Sequence, residues 1–278
     1  MQIKILRLQT PTQHFDKSLI SFFILEGSKN LQIVQIQDDQ LVFQIELLNK
    51  DSQPILEKFK KIFPNKQISV ILEKYISVEE WKRIRLSQIS VGKHNFKPFF
   101  AKSPDDPLET IYLDTLVGAF GIDNHPTTLI CLELIDQLEK TIHEANYITA
   151  VDFGTGNGIL SLALSRSIKC IIAIEIIYTY CLECLHNTKI NNIHNITVIN
   201  SDTPKIVRKT DVLVANIPLS VYQQVPVLEI KFKQAIISGV NLQNYTQLLA
   251  LFENNSIEVE KEIEKEGWKG FLVRKKKV

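Results

Sequence analysis

What the 278-residue sequence lacks narrows its function before any motif is read. No apolar run approaches the roughly 18–20 residues of a membrane-spanning helix, so no such segment is expected. An excess of either charge is also missing: 32 Lys and Arg stand against 31 Asp and Glu, a formal net charge of +1. No overall field therefore advertises nucleic acid or a lipid surface as a partner. Met1-Gln2-Ile3-Lys4-Ile5 reads as the start of a strand and lacks the apolar core and cleavage site of a leader, so a cytoplasmic location is expected. Cysteine is scarce, with Cys131, Cys170, Cys181 and Cys184 the whole complement. Cys181-Leu182-Glu183-Cys184 has metal-type spacing, but a closed zinc site usually takes four ligands and no second pair supplies them, although His186 and His194 lie nearby. The pair falls in a helical pattern, where cysteine behaves as a small apolar residue, and no metal is expected. Repeats are absent, and Lys275-Lys276-Lys277 is the sole biased tract. A hydrophobic share of 45% against 23% charge leaves an ordinary globular chain.

The first part of the chain alternates in a recognisable order. Met1–Leu8 is strand-like, and Thr10-Pro11-Thr12 offers helix-start chemistry before an apolar run through Phe15, Leu19, Phe22 and Phe23 that Gly27 closes. Leu31–Ile36 and Leu41–Leu47 are β-rich runs separated by a hairpin signal at 37–40. Ser52-Gln53-Pro54 starts a second helix that Pro64-Asn65 ends, and Gln67–Leu72 is the last strand. The order β-α-β-β-α-β over 1–76 is that of a small ferredoxin-like α+β domain, and nothing catalytic appears within it. Residues 77–118 read as an irregular connector, broken by Pro98, Pro104 and Pro107. A helix is expected near Thr127, where Leu129, Leu132, Ile135 and Leu138 recur at helical spacing. Strands are expected at Ile148–Phe153, Cys170–Ile176, Asn195–Asn200, Asp211–Asn216, Gln234–Ser238, Ile257–Lys261 and Trp268–Arg274, with helical segments in most gaps. The first five are apolar on both faces, as a buried parallel sheet requires, and the last two suit an antiparallel edge pair. Residues 119–278 are therefore expected to form an α/β domain on a seven-stranded Rossmann-like sheet.

Chemistry concentrates at one edge of that sheet. Asp152-Phe153-Gly154-Thr155-Gly156-Asn157-Gly158 leaves a strand and opens a helix, where glycines allow a tight turn and close approach of a ligand. The helix start adds N–H groups and a positive dipole end that suit a carboxylate. Dinucleotide enzymes use G-x-G-x-x-G, whereas here Ile159 occupies the third glycine position. Glu175 ends the next strand, where a carboxylate can accept hydrogen bonds from both hydroxyls of a ribose. Strand four ends at Asn216-Ile217-Pro218 on the same edge. Asp202 follows strand three, in the adenine position or simply on a surface turn. Together these features describe a site for a nucleoside carrying an amino acid, which is S-adenosylmethionine.

Phe120-Gly121-Ile122-Asp123-Asn124-His125-Pro126-Thr127-Thr128, the glycine loop and Val214-Ala215-Asn216-Ile217 together resemble the bacterial methyltransferases that modify ribosomal protein L11. Glu80-Trp81-Lys82, Val91-Gly92, Pro98-Phe99 and the ferredoxin-like first domain extend the likeness over nearly the whole chain. The resemblance implies a class I S-adenosylmethionine-dependent enzyme that methylates amines of ribosomal protein L11, held by the first domain. It places cofactor contacts on Thr128, Gly154, Glu175 and Asn216, beside Asp152, Gly156, Gly158 and Asp202 from the reading above. The chain departs from the family pattern at Asp123 (glycine there), Glu175 (aspartate) and Pro218 (leucine). Asn216 and Ile217 are the expected catalytic positions, orienting the incoming nitrogen. His125 is expected to be structural, Thr127 or Thr128 to cap its helix, and Trp81 and Trp268 to be packing anchors. Arg274–Lys277 is expected to be a solvated tail, with contact to ribosomal RNA incidental at most. Two alternatives stay open: another methyl acceptor on the same fold, or a catalytically silent relative that binds a protein.

Overall fold

A computed structural model of the chain describes residues 2–26, 28–37, 39–48, 51–115 and 124–276. Described residues up to Arg85 form one compact unit and those from Leu86 onward a second. The loop at 120–123, including Asp123, and the helix end read at Gly27 lie outside the described residues.

The first unit runs β1 (Gln2–Pro11), α1 (Lys17–Leu25), β2 (Ser28–Gln37), β3 (Gln40–Leu48), α2 (Ser52–Ile62), β4 (Ser69–Ser77) and α3 (Val78–Arg85). Its sheet has the order β2-β3-β1-β4 with every neighbouring pair antiparallel, the expected ferredoxin-like arrangement. Alternation along β1 sends Leu6 and Leu8 to the face that α1 and α2 cover, where Phe22, Phe23, Phe43 and Phe59 close the core. Helix α1 begins later than Thr10-Pro11-Thr12 suggested. Asp16 is the capping group, its Oδ1 accepting from the amides of Ser18 (3.0 Å) and Leu19 (3.1 Å), because Thr12–His14 first makes a single 3-10 turn. Trp81 of α3 packs on Ile3 and Ile76 on the opposite face, and its indole N–H donates to Glu46 Oε2 at 2.7 Å. It is the buried anchor expected of it.

The second unit opens with a three-stranded sheet, β5 (Ile89–Val91), β6 (His94–Pro98) and β7 (Ile111–Leu113), within the stretch read as an irregular connector. Its prolines sit at the end of β6 or in the link to β7, so they interrupt nothing. Then follow α4 (Pro126–Ala145), β8 (Thr149–Phe153), α5 (Ile159–Leu164), β9 (Cys170–Glu175), α6 (Tyr178–Ile190), β10 (Ile196–Asn200), β11 (Val212–Asn216), α7 (Leu219–Gln224), β12 (Gln234–Asn241), α8 (Tyr245–Asn254), β13 (Ile257–Lys265) and β14 (Trp268–Lys275). The seven-stranded sheet has the order β10-β9-β8-β11-β12-β14-β13, parallel from β10 to β12 and antiparallel beyond.

One expectation changes with this order. β10 is an edge strand and only partly covered, so its apolar sequence does not mark burial on both faces. The last two strands form the expected antiparallel edge pair, with β14 inserted between β12 and β13 and β13 as the outer edge. The basic end is likewise not a free tail as far as it is described. Arg274 Nε donates to Glu258 Oε2 at 3.0 Å, and Lys275 Nζ donates to the carbonyls of Leu228 (2.7 Å) and Asn255 (3.0 Å). Apolar clusters cover both sheet faces. Ile130, Leu134, Ile135 and Leu138 of α4 close one, and Tyr222 of α7 with Leu248 and Phe252 of α8 close the other. Strand order reverses between β8 and β11, and such a switch point opens a crevice at the carboxyl ends of the strands.

Candidate active site

Asp152, Gly154, Gly156 and Gly158 sit at that crevice, where β8 turns into α5. The loop leaves the strand under two hydrogen bonds, from the amides of Gly154 (2.8 Å) and Thr155 (3.1 Å) to the Ile174 carbonyl. Its three glycines have φ of 77°, 58° and 89°, a left-handed path that side chains resist. Asp152 lies beneath the loop. Its Oδ2 accepts from the Ser161 amide (3.1 Å), the Ser161 hydroxyl (2.7 Å) and the Thr155 hydroxyl (2.7 Å). Burial pushes this carboxyl up to about 6 despite those donors, and its Oδ1 has no partner. Its observed work is to fix the loop from below.

Glu175 ends β9 and reaches back to the same loop. Its Oε2 accepts from the Gly156 amide and its Oε1 from the Ile177 amide, each at 3.0 Å. Burial raises its pKa, with the amide donors of Ile177 and Gly156 opposing. Asn216 ends β11 on the other side of β8, and its buried Oδ1 has no partner. A buried acceptor left unpaired costs about 1–3 kcal/mol, so it is poised for a donor from outside. Beside it Gly239, with φ of +89°, gives Ile217 its room: a Cβ there would stand 2.3 Å from the Ile217 carbonyl oxygen.

These groups meet in one cleft of about 640 Å³. Gly154, Gly156, Glu175, Asp202, Asn216 and Ile217 all line it. Thr128, Asp152 and Gly158 do not. Thr128 is buried with its hydroxyl unpartnered, while Thr127 lines the cleft. Gly158 caps α5 close to α6, and a Cβ on it would come 2.7 Å from Cys184 Sγ. That contact, with burial of both cysteines of the 181–184 pair in α6, shows the small-residue packing expected of them.

Sequence reading missed part of the wall. Ile176, Ile177, Tyr180, Val221 and Val225 give it an apolar side suited to a planar base. Trp268 lines the cleft as well, its ring edge-on to His125 with centroids 5.0 Å apart. The one available signal was its place at the start of the last strand, whose position at the cleft depends on β14 lying next to β12. The cap of α4 also differs from expectation. His125 Nδ1, not a threonine hydroxyl, accepts from the Thr127 amide (3.3 Å) and lies 2.8 Å from Thr127 Oγ1. An accepting Nδ1 puts the ring proton on Nε2, and in this arrangement the imidazole caps α4 while lining the cleft.

Comparison with known proteins agrees with this geometry. Residues 29–276 match the family model described as ribosomal protein L11 methyltransferase (PrmA). The ribosomal protein L11 methyltransferase of Aquifex aeolicus is 27% identical over 231 residues, covering 77% of this chain and 89% of the relative. That of Dictyoglomus thermophilum is 25% identical over 264 residues, covering 91% of this chain and 85% of the relative. Among solved structures, a ribosomal protein L11 methylase from Lactobacillus delbrueckii subsp. bulgaricus shares the fold at a TM-score of 0.57 and 23% identity, covering 68% of this chain and 99% of its own.

Proposed function

The chain belongs to the ribosomal protein L11 methyltransferase family, and on that premise we propose that it transfers methyl groups from S-adenosylmethionine to amines of ribosomal protein L11. The observation that carries this reading is the convergence in one cleft of the glycine turn, Glu175 and the unpartnered Asn216 Oδ1. The residues present fit the cofactor. Gly154 and Gly156 bring no side chain to the cleft where an amino-acid group would approach, Thr155 being turned down to Asp152. Glu175 offers a carboxylate to a ribose, and the apolar wall with Tyr180 suits adenine. The sulfonium supplies an electrophilic methyl group when bound.

This chain's own residues then have three tasks. They must hold the acceptor nitrogen in line, remove water and let the amine shed its proton. A free lysine stands about three units above neutral pH, a cost of roughly 4–5 kcal/mol. The apolar cleft wall lowers that pKa by desolvation, so the amine releases its proton to bulk water as it enters and no basic side chain has to be invoked. Asn216 Oδ1 accepts one amine N–H, and the backbone at Asn216 and Ile217 fixes the approach. The first unit, up to Arg85, holds the protein substrate, and the second, from Leu86 onward, carries the transfer. Asn216→Ala should lower turnover about 100-fold at saturating cofactor, measured as labelled methyl incorporation into ribosomal protein L11. Unchanged turnover would remove Asn216 from its role, and no thermal shift of the unmodified protein with millimolar S-adenosylmethionine would remove the enzyme reading.

A further inference from the structure

Asn187 near the end of helix α6 and Asn191 at its C-cap lie one turn apart, and both side chains bond to the backbone of residues 112–115, Asn191 Nδ2 donating also to the Asn187 carbonyl at 2.8 Å. Asn187 is fully buried. Its Nδ2 donates to the carbonyl of Asn157 at 3.0 Å, inside the glycine turn, and its Oδ1 accepts from the Asp114 amide at 2.9 Å. Asn191 clamps the same stretch one step earlier: its Oδ1 accepts from the Tyr112 amide and its Nδ2 donates to the Tyr112 carbonyl, both at 2.7 Å. Only Asn187 touches the turn. Asn157 lies between Gly156, whose amide donates to Glu175, and Gly158, which packs on Cys184 of the same helix. One continuous buried path therefore runs from Glu175 through Gly156 and Asn157 to Asn187 and on to Asp114.

We infer that Asn187 is a positioning residue that couples the cofactor cleft to residues 112–115, so that occupancy of the glycine turn and order in that segment rise together. The inference rests on the reading of the cleft as an S-adenosylmethionine site. Buried polar groups in such a path leave a donor or acceptor orphaned if one member moves alone, which favours concerted behaviour. Coupling of this kind is reciprocal: a ligand that stiffens the turn must protect the Asp114 amide, and cutting the path must weaken the ligand by the same factor. With a single net hydrogen bond at stake, that factor is about fivefold.

The test uses S-adenosylhomocysteine as the probe, with calorimetry for affinity and hydrogen exchange for peptides covering 112–115. In the unmodified protein the probe should slow exchange there. In Asn187→Ala it should not, the dissociation constant should rise about fivefold, and turnover at saturating cofactor should stay within twofold. Asn191→Ala, which removes the clamp on Tyr112 and one bond to the Asn187 carbonyl but none to the turn, should leave the probe's affinity within twofold. Calorimetric binding by the unmodified protein with unchanged exchange at 112–115 overturns the coupling while leaving the cleft reading intact, and needs no variant to fold. Equal weakening by both substitutions overturns it too. Absence of any binding by the unmodified protein overturns the cleft reading, and the coupling with it.

Discussion

Gly239→Ala isolates how the fold positions the acceptor side of the cleft. Gly239 holds φ of +89°, and a Cβ there would stand 2.3 Å from the Ile217 carbonyl oxygen and 2.6 Å from its carbonyl carbon and amide nitrogen. All three atoms are backbone, so no side-chain rotation relieves the overlap. Relief to ordinary contact moves the Ile217 peptide by about 1 Å, and a displacement of that size costs roughly 100-fold in rate. Stability falls for two reasons: left-handed backbone costs an L-residue about 1–2 kcal/mol, and overpacking about 1–3 kcal/mol more. Gly267 is the control. It has φ of +78° in the β13–β14 turn, yet a Cβ there meets nothing within 4 Å. Gly267→Ala should therefore lose only the backbone term and keep full turnover. The assay pairs urea unfolding with methyl incorporation at saturating cofactor for both variants. Turnover of Gly239→Ala within threefold of Gly267→Ala, measured where urea melts show both variants fully folded, would refute the claim that Gly239 exists to seat Ile217.

Two carboxylates, one buried and one partly exposed, should move stability in opposite directions with pH. Asp152 is raised from 3.8 to about 6 by burial, so the stability it contributes is present below pH 4 and lost as pH rises through 6. Asp152→Asn keeps an acceptor for Ser161 and Thr155 but no charge. Its stability relative to the parent should rise by about 3 kcal/mol across that window in urea melts, and parallel curves would contradict the assignment. For Asp211, burial pulls the carboxyl up, but the Lys233 ammonium at 2.7 Å and the amides of Ile148 and Thr149 hold it well below the usual range. Its contribution is present above pH 4 and lost as pH falls further. Asp211→Asn should be less stable than the parent at pH 7, with the gap narrowing as pH falls below 4; a gap of the same size at pH 2 as at pH 7 would count against the ion pair.

Much of this protein was legible because its signals are local. Period-two patterning and turn residues marked the strands of the first unit and of the seven-stranded sheet, though not β5–β7. Glycines at 154, 156 and 158 marked a turn whose left-handed path glycine adopts most easily. The β10 edge was not legible, since an apolar strand reads alike at an edge and in a sheet centre. The His125 cap was missed because preference tables favour the threonines that follow it, while the imidazole reaches the Thr127 amide only in this loop geometry.

The seven alternating segments, the glycine turn, Glu175 and Asn216 were determined by sequence alone, since covalent order and local sterics suffice for them. Which of these residues face one another was decided only by tertiary structure. Strand order brings β11 beside β8 and inserts β14 between β12 and β13, and that placement sets Asn216 and Trp268 on the cleft. Burial sends Asp152 beneath the turn rather than into the cleft, because its carboxylate is spent on Thr155 and Ser161. Pairing distant in sequence, such as Asn187 with both Asn157 and Asp114, leaves no local trace, because its energy exists only once the chain has closed.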